Sequence, residues 1–249
     1  MGFSIRQALR ECEALESRLG LADSIEAIRG IFFTGSKYIE RVLRYTSFAW
    51  SRLGYGSRWN HALQEIITTS GADTKRYAGP TMLSFGQFEL LFSTLPSTFR
   101  DNENAFERAR FADIARILKK AKVHEKLDAL VALRNSVEHD KEDTVSLSAS
   151  QLRARCRTAL NNARNVLAKI DGQRVLPVTV SPEEERRDRY GRRVLRLLDP
   201  DGVAIEVHVR SETDLTEPLI YFPSGSHRGR DVDPRLISAT AVEELLGFT

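Results

Sequence analysis

The chain has 249 residues, 41% of them hydrophobic and 29% charged, with a formal net charge of +3 and a pI of about 8.9. That length allows one large domain or two modest ones with a real core, and the composition excludes a disordered chain. So slight an excess of positive charge does not by itself argue for a nucleic-acid partner, which would need local clustering.

Cys12 and Cys156 stand far apart without C-x-x-C spacing. A disulfide framework or a cysteine-rich zinc site is therefore not expected, and a reducing, cytoplasmic setting is. The first residues, MGFSIRQALRE, carry charge from Arg6 and have no apolar h-region, so no signal peptide is expected. Arg6 also stands where a myristoylation signal wants Ser or Thr. No apolar run approaches the roughly 18–20 residues that span a bilayer, so no membrane partner is expected.

In chain order, the first two thirds read as helices. Residues 5–19 put Ile5, Leu9, Cys12, Leu15 and Leu19 on one face; Ser4 and Gln7 have capping-box spacing, and Gly20 closes the run. A helix over 24–34 starts behind Asp23, Gly35 interrupts, and 37–53 continues on a broad stripe from Ile39 to Leu53. A shorter helix covers 58–69, and 71–80 has loop chemistry. Ser84 and Gln87 open a helix that ends before Pro96, followed by helices over 103–121, 123–139 and 149–170, the last closed by Asp171-Gly172. Beyond Gly172 the pattern becomes β-rich, with strands at 174–180, 192–198, 203–209 and 218–222. Asp199-Pro200-Asp201-Gly202 reads as a hairpin loop. Asp233-Pro234 and Thr240-x-x-Glu243 suggest a short closing helix.

The segment Leu130–Asp143, LVALRNSVEHDKED, raises the functional question. At 100° per residue the apolar stripe of the 123–139 helix runs through Leu127, Leu130, Val131, Leu133 and Val137, and Arg134 falls near its middle. A charge on an apolar stripe is costly unless it is paired or faces a polar cavity or an interface. The plain structural reading is an i,i+4 ion pair between Arg134 and Glu138, with His139 favoured at the helix end by the dipole.

Arg134, Asn135 and His139 also form an R-N-x3-H pattern, between an amphipathic helix and the last long helix of the α region. This resembles the R-x4–6-H signature of the HEPN superfamily, helical domains many of which are metal-independent ribonucleases; the resemblance covers residues 1–171. It implies a homodimer through the α domain, with two motifs meeting across a two-fold axis. It also implies an RNA substrate, no cofactor, and a toxin or antiviral or stress-effector role with an antitoxin or regulatory protein as partner. In it Arg134, Asn135 and His139 are catalytic, and Glu138 supports Arg134. Where HEPN toxins paired with a nucleotidyltransferase antitoxin commonly carry a tyrosine that accepts AMP, two positions past the motif histidine, this chain has Lys141.

Other candidates are thinner. His61, His124, His208 and His227 lack ligand spacing, and no metal site is expected. His208 alternates with the apolar face of its strand and should face solvent. GSHRGR at 225–230 is a glycine-rich basic loop. The run RRDRYGRR supplies Arg186, Arg187, Arg189, Arg192 and Arg193, with Tyr190 able to stack on a base; it is either an RNA-binding patch or a solvated loop before a strand, partly neutralised by Glu183–Glu185.

The expected fold class is α+β: an all-α, HEPN-like bundle over 1–172, then a small β-rich domain over 173–249 with a short terminal helix. The expected function is a metal-independent endoribonuclease. The alternative is a non-catalytic dimerisation or partner-binding module with the β domain as its recognition surface.

Overall fold

The computed structural model describes residues 3–69, 77–99, 105–209, 218–222, 235–240 and 242. The fold is α+β, with a helical N-terminal region followed by an antiparallel sheet. The helices are α1 (Ile5–Leu19), α2 (Ile25–Tyr55), α3 (Trp59–Thr69), α4 (Phe85–Thr98), α5 (Ala105–Lys120), α6 (Val123–Glu138), the short α7 (Glu142–Val145) and α8 (Ala149–Asp171). The strands are β1 (Val178–Arg187), β2 (Arg193–Leu198), β3 (Ala204–Val209), β4 (Leu219–Phe222) and β5 (Arg235–Ser238), ordered β3-β2-β1-β4-β5.

Serine caps mark the starts of α1, α2, α4 and α8. The Ser4 hydroxyl accepts from the Gln7 amide at 3.0 Å. Ser84 with Gln87 and Ser148 with Gln151 each complete a reciprocal capping box. Ser24, not Asp23, caps α2. Two expected breaks do not occur. The helix runs on through Gly35, which is buried where α8 crosses; a Cβ there would lie 3.0 Å from Leu160 Cδ1. The glycine serves close helix packing, and burial outweighs its low helix propensity. Pro96 likewise sits inside α4, two residues from its end. A proline removes one N–H and crowds the carbonyl four residues back, and so near the helix end the disturbance is confined to the last turn.

The helices bury a continuous core around Phe32, Tyr45, Phe48, Trp50, Phe88, Phe92 and Phe99. α2 runs through its centre, against α1, α4 and α8. That core continues into the sheet through Ile220 and Phe222 of β4 and takes in Ala239 and Val242 just beyond β5. Thr179 shares a 2.7 Å hydrogen bond with Tyr45 on the same face of the sheet, and Arg110 of α5 lies 5.3 Å from the Phe222 ring centre. The opposite face gathers Val180, Leu195, Leu197, Val207, Leu219 and Tyr221 into a second, smaller cluster.

Differences from the sequence expectation concentrate in the sheet. The strand expected at 174–180 begins only at Val178 and extends to Arg187, after a turn in which Arg174 has φ of 56°. Residues 235–238, expected to lead into the closing helix, form β5. Asp233-Pro234, the end of that helix and the 225–230 loop with His227 lie outside the described residues. His208 is half-buried instead of fully solvent-facing, 3.9 Å from Asp188. Both hairpins share one construction. In D-R-Y-G (188–191) and D-P-D-G (199–202) the aspartate Oδ1 accepts amides two and four residues on, from Tyr190 and Arg192 and from Asp201 and Val203. Gly191 and Gly202 take φ of 74° and 77°, the left-handed region that favours glycine.

Candidate functional site

The R-N-x3-H segment occupies the last turn of α6 and the turn after it. α6 is regular to Glu138 and ends in a Schellman arrangement. The His139 amide donates to Asn135 O at 3.1 Å, and the Lys141 amide donates to Ser136 O at 3.0 Å. Between them Asp140 takes φ of 46°, a conformation that aspartate tolerates better than most residues. Thr144 of α7 ties the turn down, its hydroxyl donating to Ser136 O at 3.0 Å and Lys141 O at 2.9 Å. Arg29 of α2 makes an ion pair with Asp140 from the other side. His139 is thus the cap residue of a firmly built helix end while its side chain is exposed.

Arg134 is half-buried, its side chain 20% exposed. Its guanidinium lies 5.6 Å from the ring centre of Phe85 in the first turn of α4, and Nη1 is 3.5 Å from Glu138 Oε2. Arg134 and Glu138 are therefore together, and Asn135 is half-buried one position along. Arg134 and His139 are not joined: among the described residues no hydrogen bond or ion pair links them, in keeping with the ~140° that five residues of helix put between them. Phe85, Arg29, Asp140 and Thr144 escaped the sequence reading. The H-D-K junction carried a signal for Asp140, since an aspartate just past a helix end often turns left-handed.

The arginine run is not a loop before a strand. Arg186 and Arg187 end β1, Arg193 opens β2, and the turn spans only Asp188–Arg192. Its charges are largely answered. Arg193 grips Glu185 through two bonds of 2.6 and 2.7 Å. Arg186 pairs with Glu206 at 2.9 Å, Arg192 with Asp188 at 2.7 Å and Arg196 with Glu183 at 3.0 Å. Arg187 donates to Gly191 O at 3.0 Å. Burial pushes the Asp188 carboxyl up, but the Arg192 side chain and the Arg192 and Tyr190 amides outweigh that and hold it down at about 2. The guanidinium groups of Arg189 and Arg192 lie 4.7 and 5.1 Å from the centre of the exposed Tyr190 ring. The D-x-x-G spacing was the signal that would have placed this turn.

Both cysteines are buried thiols on α1 and α8. Burial pushes each up to about 12, with Glu16 adding to the effect at Cys12. Such thiols are poor nucleophiles. Among the described residues no group of three His, Cys, Asp or Glu side chains is placed to hold a metal ion, and no helix is long and apolar enough to cross a membrane. Comparison with protein-family models, with curated proteins and with solved structures finds no match.

Proposed function

We propose that this protein is a metal-independent, cytoplasmic endoribonuclease of HEPN type, acting as a homodimer with a composite site. The observation that carries the reading is the placement of Arg134, half-buried on an otherwise apolar stripe, one turn before a helix end that presents an exposed His139. One chain does not aim the two side chains at a common point, so a second copy completes the site.

RNA brings its own nucleophile. A base takes the ribose 2′-OH proton, the oxygen attacks the adjacent phosphorus, and the 5′-oxygen departs with a proton, leaving a 2′,3′-cyclic phosphate. His139 from each copy supplies base and acid, a role that typically contributes ~10²–10⁴-fold. Arg134 exchanges its Glu138 contact for the phosphate and offsets the charge that builds up in the transition state. Asn135 donates to phosphate or orients His139. Arg189 and Tyr190 at the hairpin tip give the RNA a stacking and charge contact, with Arg186, Arg187, Arg192 and Arg193 behind them. A toxin or antiviral or stress effector, held in check by an antitoxin or regulatory protein, is the biological role that fits such an activity.

One observation favours a second reading. Glu138 and Phe85 already satisfy Arg134 as a structural residue, as in a non-catalytic dimerisation or partner-binding module with the sheet as recognition surface. Incubation of total RNA with the protein in EDTA separates the two. The ribonuclease produces fragments with cyclic-phosphate ends; the binding module leaves the RNA intact.

A further inference from the structure

A groove of about 690 Å³ lies between α4 and α5, closed at one end by the start of α6. It sits ~24 Å along α6 from His139, at 1.5 Å per residue, so it is separate from the site above. Its volume is in the range of small-molecule sites, about 300–1,000 Å³.

The walls are aliphatic, formed by Leu90 and Pro96 on one side and Ala112, Ala115 and Leu118 on the other, and no Phe, Tyr or Trp lines them. The hydroxyls on the α4 side are already committed as donors: Ser93 to Glu89 at 2.8 Å, Thr94 to Leu90 O, and Ser97 to Thr94 O at 2.7 Å. That wall has few donors left for a sugar. The groove's other donors come from Arg116, Lys119, Lys122 and His124. Lys119 has no ion-pair partner among the described residues. Arg116 with Asp113 and Lys122 with Glu125 form only exposed pairs, at 2.9 and 3.4 Å, which water screens and a ligand can displace. His124 is held from behind, its Nδ1 2.7 Å from the carboxylate of Glu89, which is 4% exposed. That buried carboxylate fixes the ring's orientation.

We propose that this groove binds an anionic amphiphile, an unbranched aliphatic chain lying between α4 and α5 with its phosphate or carboxylate on Lys119, Lys122 and His124. Arg116, Lys119, Lys122 and His124, set against the one lining carboxylate of Glu125, favour an anionic head group, and the aliphatic walls favour the chain. The test is calorimetric titration of the full chain with decyl phosphate and with decanoate, below their micelle concentrations. One-to-one saturation by either is expected, and the tighter of the two identifies the head group. The paired Lys119→Glu and Lys122→Glu substitutions, both at the surface, should weaken binding about ten-fold or more, as should Ala115→Trp, which fills the groove. Decanol and inorganic phosphate should each bind far more weakly than the amphiphile. The proposal is overturned if neither amphiphile saturates, if the double glutamate variant binds as the parent does, or if decanol matches the amphiphile. It is equally overturned if an acidic amphipathic peptide saturates the groove where both amphiphiles fail, which would give the surface to a protein partner.

Discussion

At the residue scale, Arg134 illustrates what a helical period can and cannot reveal. Its place on the stripe and its pairing with Glu138 follow from 100° per residue and i,i+4 spacing alone. Its contact with Phe85 does not, because that ring belongs to another helix and only the crossing of α4 with α6 brings it near. The contact explains how a guanidinium is tolerated there: the Phe85 ring face takes the charge, and Glu138 pairs with Nη1. Arg134→Ala should therefore cost about 1–2 kcal/mol in urea unfolding, the loss of one half-buried stacking contact and one ion pair. Arg134→Lys keeps the charge without the planar face and should recover only part of it. An alanine variant as stable as the parent would return Arg134 to the status of a surface charge.

At the scale of elements, the helices were legible because their caps and stripes are local. Ser4, Ser84 and Ser148 mark three starts by side-chain hydrogen bonds that span three residues. The continuity of α2 was not legible, because Gly35 is explained by Leu160 on a distant helix. Nor was the reach of β1, whose second half is charged and solvent-exposed and so lacks the apolar alternation that marks a half-buried strand. What makes it a strand is pairing with β2 along Arg187↔Arg193 and Glu185↔Leu195. The carboxylates facing its arginines bear on function. If the hairpin guides RNA, replacing Arg186, Arg187 and Arg189 with Ser should weaken RNA binding and flatten its dependence on salt, each phosphate contact contributing a slope of about one. Equal affinity for parent and variant at two salt concentrations would leave those residues as strand-pairing groups only.

At the scale of the whole molecule, helices and sheet are tied by charge as well as by a shared core. Arg6 reaches Asp171 at the end of α8 and Asp199 in the β2–β3 turn, both at 3.3 Å. Arg10 reaches Asp201 at 2.6 Å, and the Ser4 hydroxyl donates to the same carboxylate at 3.2 Å. Residues nearly two hundred positions apart meet here, which no local pattern could disclose. Burial pushes the Asp201 carboxyl up, but Arg10, Ser4 and Arg6 outweigh that and hold it below the usual carboxylate range. A carboxyl depressed in the folded state stabilises it above the unfolded value of about 4, and that stabilisation is lost as pH falls through the folded value. The melting temperature should accordingly drop between about pH 4 and about pH 2, where Asp188 also becomes protonated. Asp201→Asn should lower Tm by about 3 °C at neutral pH and make the acid limb shallower; an unchanged limb would mean the tie is silent in solution. The proposed two-copy site also belongs to this scale, since Arg134 and His139 of one chain are not joined and would act together only if two chains met. His139 lies off the core, so His139→Ala should leave folding and dimer intact and act on chemistry alone. The decisive measurement is cleavage of RNA in EDTA by the parent and by His139→Ala, with light scattering on both. Two dimers are expected, of which only the parent cuts; a variant that cuts as fast as the parent would overturn the ribonuclease reading.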